Sequence, residues 1–410
     1  MAEVTRCRIC QSPDLYTFLR LGPTPLANSF VRPGDEAKSE PSYPLDVCLC
    51  KNCSLVQLGY VVPPEIMFRN YIYFSSTSDT IRKHFSEEAQ EVLESYAKPG
   101  ELVVEIASND GVLLKNFLGK GVRILGVEPA TNIARVANDA GVETLNDFFS
   151  SKSAAEIRSE KGAASVILAN NVFAHVPDLH DIVKGMGALL DSNGVIMIEF
   201  PYLADLYLKR EFDTIYHEHL SYFSLKPVIH LFKSFGMEVF DAKRTPVHGG
   251  SIRIYVQKSG GRHKRNSKGL EALLKMEDEM GLYSPAAYDK FAAEVLALKK
   301  ELLALLMKLK AEGKSIAAYG APAKGNTLLN FFGIGRDVLD FAVDKSQYKQ
   351  NLLTPGMHIP VYGPEMLKEK KPDYLLILAW NFADEIMRQQ EGYKKAGGHF
   401  IIPIPQPRII

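Results

Sequence analysis

A chain of 410 residues with 46% hydrophobic content is long enough for two or three domains with buried cores. Its 48 basic and 48 acidic residues cancel, so no global field favours nucleic acid or an anionic membrane surface. No apolar run approaches a spanning helix, and the N-terminus lacks a charged stretch followed by an apolar one. A cytoplasmic monomer is expected, with neither nucleic acid nor membrane as partner.

All five cysteines lie before residue 54. Cys7 with Cys10 and Cys50 with Cys53 form two CxxC knuckles, the spacing that offers four thiolates to a tetrahedral zinc. Four cysteines fill the coordination sphere, so the metal is expected to be structural, and residues 1–70 to form a zinc-binding domain that needs it to fold. Cys48 flanks the second knuckle and could replace a ligand, although its spacing fits less well.

From residue 71 the pattern alternates short apolar strands with helices. Strands are expected over 101–106, 122–127, 165–168 and 194–199, and helices over 112–117 and 132–140. This order predicts a parallel, doubly wound α/β sheet with ligands at the carboxyl ends of its strands. Stretches 236–240 and 251–256 read as a closing antiparallel pair. Just after the strand at 194–199, residues 216–224 pack Tyr216, His217, Glu218, His219 and Tyr222 together. So many aromatic and titratable groups suggest proton transfer, the alternative being an aromatic corner that caps the sheet. The two histidines stand two apart, which excludes the metalloprotease helix with its four-residue spacing.

Residues 260–268 form a basic linker, followed by helices, the last over 284–312 with an apolar stripe at Phe291, Val295, Leu298, Leu302, Leu305 and Leu309. A second α/β unit begins at 315. Its turn over 320–325 precedes a helix at 328–332, with further strands at 338–343, 373–379 and 400–403. Backbone amides there and Lys324 could cradle a phosphate, the alternative being a tight strand-to-helix connection. The domains are thus expected at 1–70 (zinc), 71–260 (central α/β), 261–313 (helical linker) and 314–410 (second Rossmann-like unit).

The central unit resembles the class I fold of S-adenosylmethionine-dependent methyltransferases. The antiparallel strand pair favours it over a dinucleotide dehydrogenase, the alternative for an acidic residue seventeen positions after Gly111. The resemblance implies a donor site built from Glu105, Ala107, Ser108, Asn109, Gly111, Glu128, Pro129, Asp147, Phe148 and Asn170. Glu128 would pair with the ribose hydroxyls, and Asp147 and Phe148 would reach the adenine. Ala107 and Asn109 depart from the family pattern, which often has glycine there.

Five ordered stretches, 21–28, 71–76, 106–111, 215–219 and 248–253, together with the cysteine knuckles, resemble the zinc-containing sugar C-methyltransferases that act on nucleotide-linked 4-keto deoxysugars. Methylating carbon requires a carbanion, and a sugar carbon becomes acidic only beside a ketone. Such an enzyme needs a base at the α-proton and hydrogen bonds to the enolate oxygen. A neutral histidine suits the base role. The resemblance implies His219 as base, Tyr216 and Glu218 orienting sugar or enolate, and His175 with Tyr71 or Tyr73 completing the pocket. His217 is expected to pack. Tyr73, Ser75, Ser76, Tyr222, His248, Gly249, Ser251, Arg253, Lys324, Asn326, Trp380 and Asn381 are the expected substrate contacts, although the segment at His248 could equally be a plain hairpin turn. The expected activity is C-methylation of such a sugar, C-3 first and C-5 second. An O- or N-methyltransferase, or a non-catalytic zinc-bearing nucleotide-binding protein, is the alternative.

Overall fold

The computed structural model describes residues 2–410 except 37, 39, 70–73 and 78. Its centre is a seven-stranded sheet built from β1 (Leu102–Ile106), β2 (Arg123–Val127), β3 (Thr144–Leu145), β4 (Ala164–Asn170), β5 (Leu190–Pro201), β6 (Met237–Thr245) and β7 (Ser251–Lys258). The spatial order is 3-2-1-4-5-7-6, with β7 antiparallel to both of its neighbours and β1 to β5 parallel. Every residue of β1 is buried, as a strand covered on both faces requires. The strand order reverses between β1 and β4, so the crevice for a ligand opens at their carboxyl ends.

Three strands of the N-terminal module, Leu15–Pro25, Ser42–Cys50 and Val56–Leu58, pair antiparallel. A fourth comes from far downstream: Ser221–Tyr222 pairs with Gln57 and Val56. The segment after His219 is therefore a strand of the zinc module. Sequence periodicity carries no signal for a two-residue strand whose partner lies so far away.

The C-terminal sheet comprises β8 (Ile316–Tyr319), β9 (Ala342–Val343), β10 (Val361–Tyr362), β11 (Tyr374–Ile377), β12 (His399–Ile402) and β13 (Arg408–Ile409), in the order 10-9-8-11-12-13. All its pairings are parallel except β12 with β13. The strand expected over 338–343 shrinks to two residues, and the helix expected over 112–117 is a single 3-10 turn, Leu114–Phe117.

Helix α1 (Asp79–Ser95) covers the central sheet, and α2 (Pro285–Ala311) is the long amphipathic helix. Its buried stripe includes Leu306, while Leu305, expected there, is only partly covered; both positions satisfy the three-and-four spacing between Leu302 and Leu309, so packing rather than spacing chose between them. That stripe joins two units. One continuous apolar cluster runs from Leu19 and Val47 of the N-terminal strands, through Phe291 and Leu298, to Ile316 and Leu376.

Candidate active site

The four expected ligand cysteines come together. Each knuckle is closed by a residue in the left-handed region, Gln11 (φ +59°) and Ser54 (φ +68°), whose N–H groups return to the Cys7 and Cys50 carbonyls at 3.0 and 2.9 Å. Sγ of Cys7 and Cys53 lie 3.4 Å apart, those of Cys10 and Cys50 3.5 Å apart, and all four lie within 4.8 Å of one another. A tetrahedron with Zn–S bonds of ~2.3 Å has edges of roughly 3.8 Å, so the set fits zinc. Cys48 is not among them; its Sγ–H donates to the Gln57 carbonyl at 3.5 Å. Between the first two ligands, the buried Arg8 guanidinium donates to the carbonyls of Leu58 (3.1 Å) and Leu220 (2.9 Å). The metal module thus holds the residue that follows His219.

A cavity of about 560 Å³ lies at the carboxyl ends of β1, β2 and β4. The turn after β1 forms one wall. Ala107 (φ +54°) and Asn109 (φ +49°) adopt the left-handed conformation for which glycine is the easy choice. At Gly111 (φ +74°) glycine is favoured twice, by the left-handed backbone and because a Cβ would press on Val142 Cγ2 at 3.0 Å. Gly126 on β2 is required by a close approach, because a Cβ there would meet Ser108 Oγ at 2.4 Å.

At the end of β2, Glu128 accepts the N–H of Asn109 (3.0 Å) and of Ala130 (2.9 Å), one on each carboxylate oxygen. Burial pushes its acidity down, and these two amides hold the carboxylate against that tendency at the cavity wall. Asn170 and Asn171, at the end of β4, each carry a buried Oδ1 with no hydrogen-bond partner among the described residues. Phe148 and Phe149 add an apolar wall. A carboxylate for two hydroxyls, unsatisfied amide oxygens for an ammonium group and an aromatic wall for a purine together fit S-adenosylmethionine.

The histidine segment faces this wall across the cavity. His219 Nδ1 lies 2.7 Å from the Thr214 carbonyl, and its Nε2 lies 2.9 Å from the Tyr216 hydroxyl. A carbonyl can only accept, so in the neutral ring the proton sits on Nδ1 and Nε2 presents a lone pair to which Tyr216 donates. The His175 ring meets His219 edge-on at 4.9 Å, and burial pushes its pKa down to about 4, so it is neutral at physiological pH. Glu218 is buried and accepts from Asn28 Nδ2 at 2.6 Å. His217 turns the other way, its Nε2 3.1 Å from the Tyr43 carbonyl of the zinc module.

The third wall comes from the C-terminal unit: Pro322, Ala323, Lys324, Lys349 and Asn381. Helix α3 (Ala323–Phe332) begins at this wall, with Lys324 in its first turn. Lys324 also lies over the Trp380 ring at 4.6 Å, beside the buried acids Glu211 and Asp213.

Of the expected site residues, the cavity wall brings together Ala107, Asn109, Glu128, Pro129, Phe148, Asn170, His175, Tyr216, His219, Ser75, Lys324 and Asn381. Others lie elsewhere. Glu105 and Ser108 are buried behind the turn. The Asp147 carboxylate is exposed and takes the Phe148 N–H. Tyr222 is buried in the zinc-module strand. Arg253 is buried among Glu88 (3.0 Å), Glu199 (2.9 Å) and Glu91 (3.3 Å), because its place on β7 turns it toward α1. Ser251 Oγ donates to the Val247 carbonyl, Gly249 packs on Glu211, and the Ser76 carbonyl accepts from Arg82. Asn326 donates to the Ala27 carbonyl, and the Trp380 indole to Asp213. Tyr71 and Tyr73 fall outside the described residues, as does the His248 side chain. Asn28, Asn171 and Thr214 line the cavity without having been named as contacts; the Asn28 stretch and the loop after β4 that carries Asn171 both point to this place in the sequence, whereas Thr214 carried no signal.

The strand order of the central sheet, its donor-shaped cavity and the four-cysteine site define a zinc-bearing, S-adenosylmethionine-dependent methyltransferase. Family models match in the same order along the chain: a zinc-binding domain over 7–68, a methyltransferase domain over 81–242 and a C-methyltransferase C-terminal domain over 246–405. The C-methyltransferase NovU of Streptomyces niveus is 38% identical over 408 residues, covering 99% of this chain and 97% of that protein. The chain belongs to this C-methyltransferase family, and it is an enzyme with S-adenosylmethionine and a structural zinc as its cofactors. Among solved structures, magnesium protoporphyrin IX methyltransferase (ChlM) from Synechocystis PCC 6803 with bound SAM is 10% identical over 43% of this chain and 79% of that chain, with a TM-score of 0.34. The PH0226 protein from Pyrococcus horikoshii OT3 is 16% identical over 48% and 97%, with a TM-score of 0.37. Among the described residues, no helix is long and apolar enough to cross a membrane.

Proposed function

We propose that this C-methyltransferase acts on a nucleotide-diphosphate-linked 4-keto deoxysugar, at C-3, with His219 as the base. The observation that carries this reading is the pair of contacts on His219: a carbonyl on Nδ1 and a hydroxyl on Nε2 make the imidazole a preset proton acceptor facing the cavity. A histidine base would serve an O-methyltransferase too, by taking a hydroxyl proton, so the choice of carbon is supported by the C-methyltransferase relative and family model. His219 takes the proton α to the ketone, and the enolate oxygen is stabilised by neighbouring donors. Tyr216 lies on the accepting nitrogen, and the neutral His175 ring packs against His219. S-adenosylmethionine, when bound, supplies an electrophilic methyl group for the carbanion. Glu128 would hold its ribose, and the Asn170 and Asn171 amide oxygens its ammonium group. The unit over 314–410 would grip the nucleotide through the start of α3 and Lys324.

The test is to offer the purified enzyme and S-adenosylmethionine a panel of 4-keto nucleotide sugars and follow mass gain, with NMR locating the new methyl. Gain at C-3 is expected; methylation only of oxygen or nitrogen rejects the reading. In the same protein, Glu128→Ala is expected to weaken S-adenosylmethionine binding by about 1.5–3 kcal/mol, the range for hydrogen bonds to a charged group. Calorimetry reads this directly, and an unchanged affinity would remove Glu128 from the donor site.

A further inference from the structure

We infer that Trp380, on the C-terminal unit, is a positioning residue for His219: it anchors the turn whose carbonyl holds the proton on Nδ1. This rests on His219 being the base.

The connection can be followed atom by atom. The Trp380 indole N–H donates to Asp213 Oδ2 at 2.7 Å, and both residues are buried. Asp213 sits at the centre of the 3-10 turn Phe212–Thr214. The next residue, Thr214, offers its carbonyl to His219 Nδ1 at 2.7 Å. Inside the turn, Thr214 Oγ1 donates to the Glu211 carbonyl at 2.7 Å and the Ile215 N–H to the Phe212 carbonyl at 3.0 Å, so the Thr214 peptide has little freedom of its own. The same turn is gripped a second time from the C-terminal side, where the Phe212 ring stacks on Phe332 of α3 at 4.9 Å and 15°.

A surface turn would find its partners in water. Here a fully buried carboxylate is placed where one indole N–H reaches it, and Lys324 over the indole face supplies the opposing charge. Leaving such a carboxylate without its indole donor is costly, so Trp380 fixes where Asp213, and with it the adjoining Thr214 peptide, sits in the turn. The consequence is chemical. If the Thr214 carbonyl moves off Nδ1, the imidazole proton is free to move to Nε2, and the nitrogen facing Tyr216 and the cavity is no longer a base. The C-terminal unit therefore sets the tautomer of a residue on the other side of the cavity.

The test reads the ring nitrogens of His219 by nitrogen-15 NMR without substrate, the signals being assigned by their loss in His219→Asn. Wild type should show the proton on Nδ1; a wild-type ring protonated on Nε2 overturns the inference before any variant is made. Trp380→Phe keeps an aromatic ring under Lys324 and removes only the N–H. It should give a mixture of tautomers, with kcat down roughly ten- to hundred-fold, the scale of a small misplacement, while the KM for the sugar and the affinity for S-adenosylmethionine stay within about two-fold. Asp213→Leu should show the same signature, and the double variant nothing further, since one contact is removed in each case. Should Trp380→Phe fail to fold, Asp213→Leu and the wild-type spectrum carry the test. An unshifted Nδ1 tautomer in the folded variants overturns the inference whatever the rate does. Because the tautomer is read without substrate, a wrong sugar assignment would leave this result standing, and a wrong inference here would leave the sugar assignment standing.

Discussion

His219→Asn is expected to abolish turnover almost completely while leaving both ligands bound. Proton loss creates the nucleophile, so removing the base should cost about 10²–10⁴ in kcat, the usual share of general-base catalysis. The donor wall is built by β1, β2 and β4 and their turns, and Glu128 at its centre is held by the Asn109 and Ala130 amides, not by the imidazole. Affinity for S-adenosylmethionine should therefore hold. Exchange of the α-proton with deuterated solvent, followed by NMR in the absence of methyl transfer, should also stop. Tyr216→Phe then separates two routes for that proton. With the hydroxyl donating to Nε2 at 2.9 Å, a proton relayed through Tyr216 would make the phenylalanine variant as inert to exchange as His219→Asn. Direct transfer to Nε2 would leave exchange running. Exchange that survives His219→Asn would move the base elsewhere, with His175 the nearest ring at 4.9 Å.

Loss of zinc should be the other large effect, and it should reach the active site without the metal taking part in chemistry. Structural zinc contributes apparent binding energies of about 10–16 kcal/mol in small domains that are unfolded without it. Here the N-terminal strands also receive Ser221–Tyr222 as an edge strand and fix the Leu220 carbonyl through Arg8. Cys50→Ser, or stripping the metal with a strong chelator, should lower the thermal midpoint by roughly 10 °C or more, on the scaling of a few degrees per kcal/mol. Methyl transfer should fall with it. Metal content by mass spectrometry, the melting curve and activity should change together. A metal-free protein with a native melting curve and full turnover would end the structural-zinc assignment. Restored activity on adding zinc, with the melting curve unchanged throughout, would point to a metal that works in the reaction itself.

Much of this enzyme could be read locally. The CxxC spacing specifies a tetrahedral set because two residues between thiols is what a knuckle needs, and the four sulfurs do converge. The alternation of short apolar strands and helices announces a doubly wound sheet, since strands buried on both faces must be short and apolar. Glu128 could be placed from its distance to the glycine turn, as one strand-turn-helix unit separates them. The segment 216–224 stood out by its density of aromatic and titratable groups, and the family resemblance singled out His219 within it.

What the sequence could not settle is which way a side chain points and what lies opposite it. His217 and His219 are chemically alike and two residues apart, yet one meets a carbonyl of the zinc module and the other faces the cavity. Arg253 and Trp380 belong to segments that the resemblance assigns to substrate, but β7 turns the first into a buried carboxylate cluster, and the second gives its indole N–H to Asp213. Thr214, which decides where the His219 proton sits, acts through its backbone carbonyl, and a carbonyl leaves no mark on residue type. Residue chemistry and spacing by themselves pointed to the zinc ligands and the doubly wound sheet, and with the family resemblance to the donor site and to His219 as the proposed base. Only the tertiary structure decided which atoms meet that ring: the Thr214 carbonyl and the Tyr216 hydroxyl are five and three residues away, but a turn must fold them onto it, and that turn is packed in place by a unit more than a hundred residues downstream.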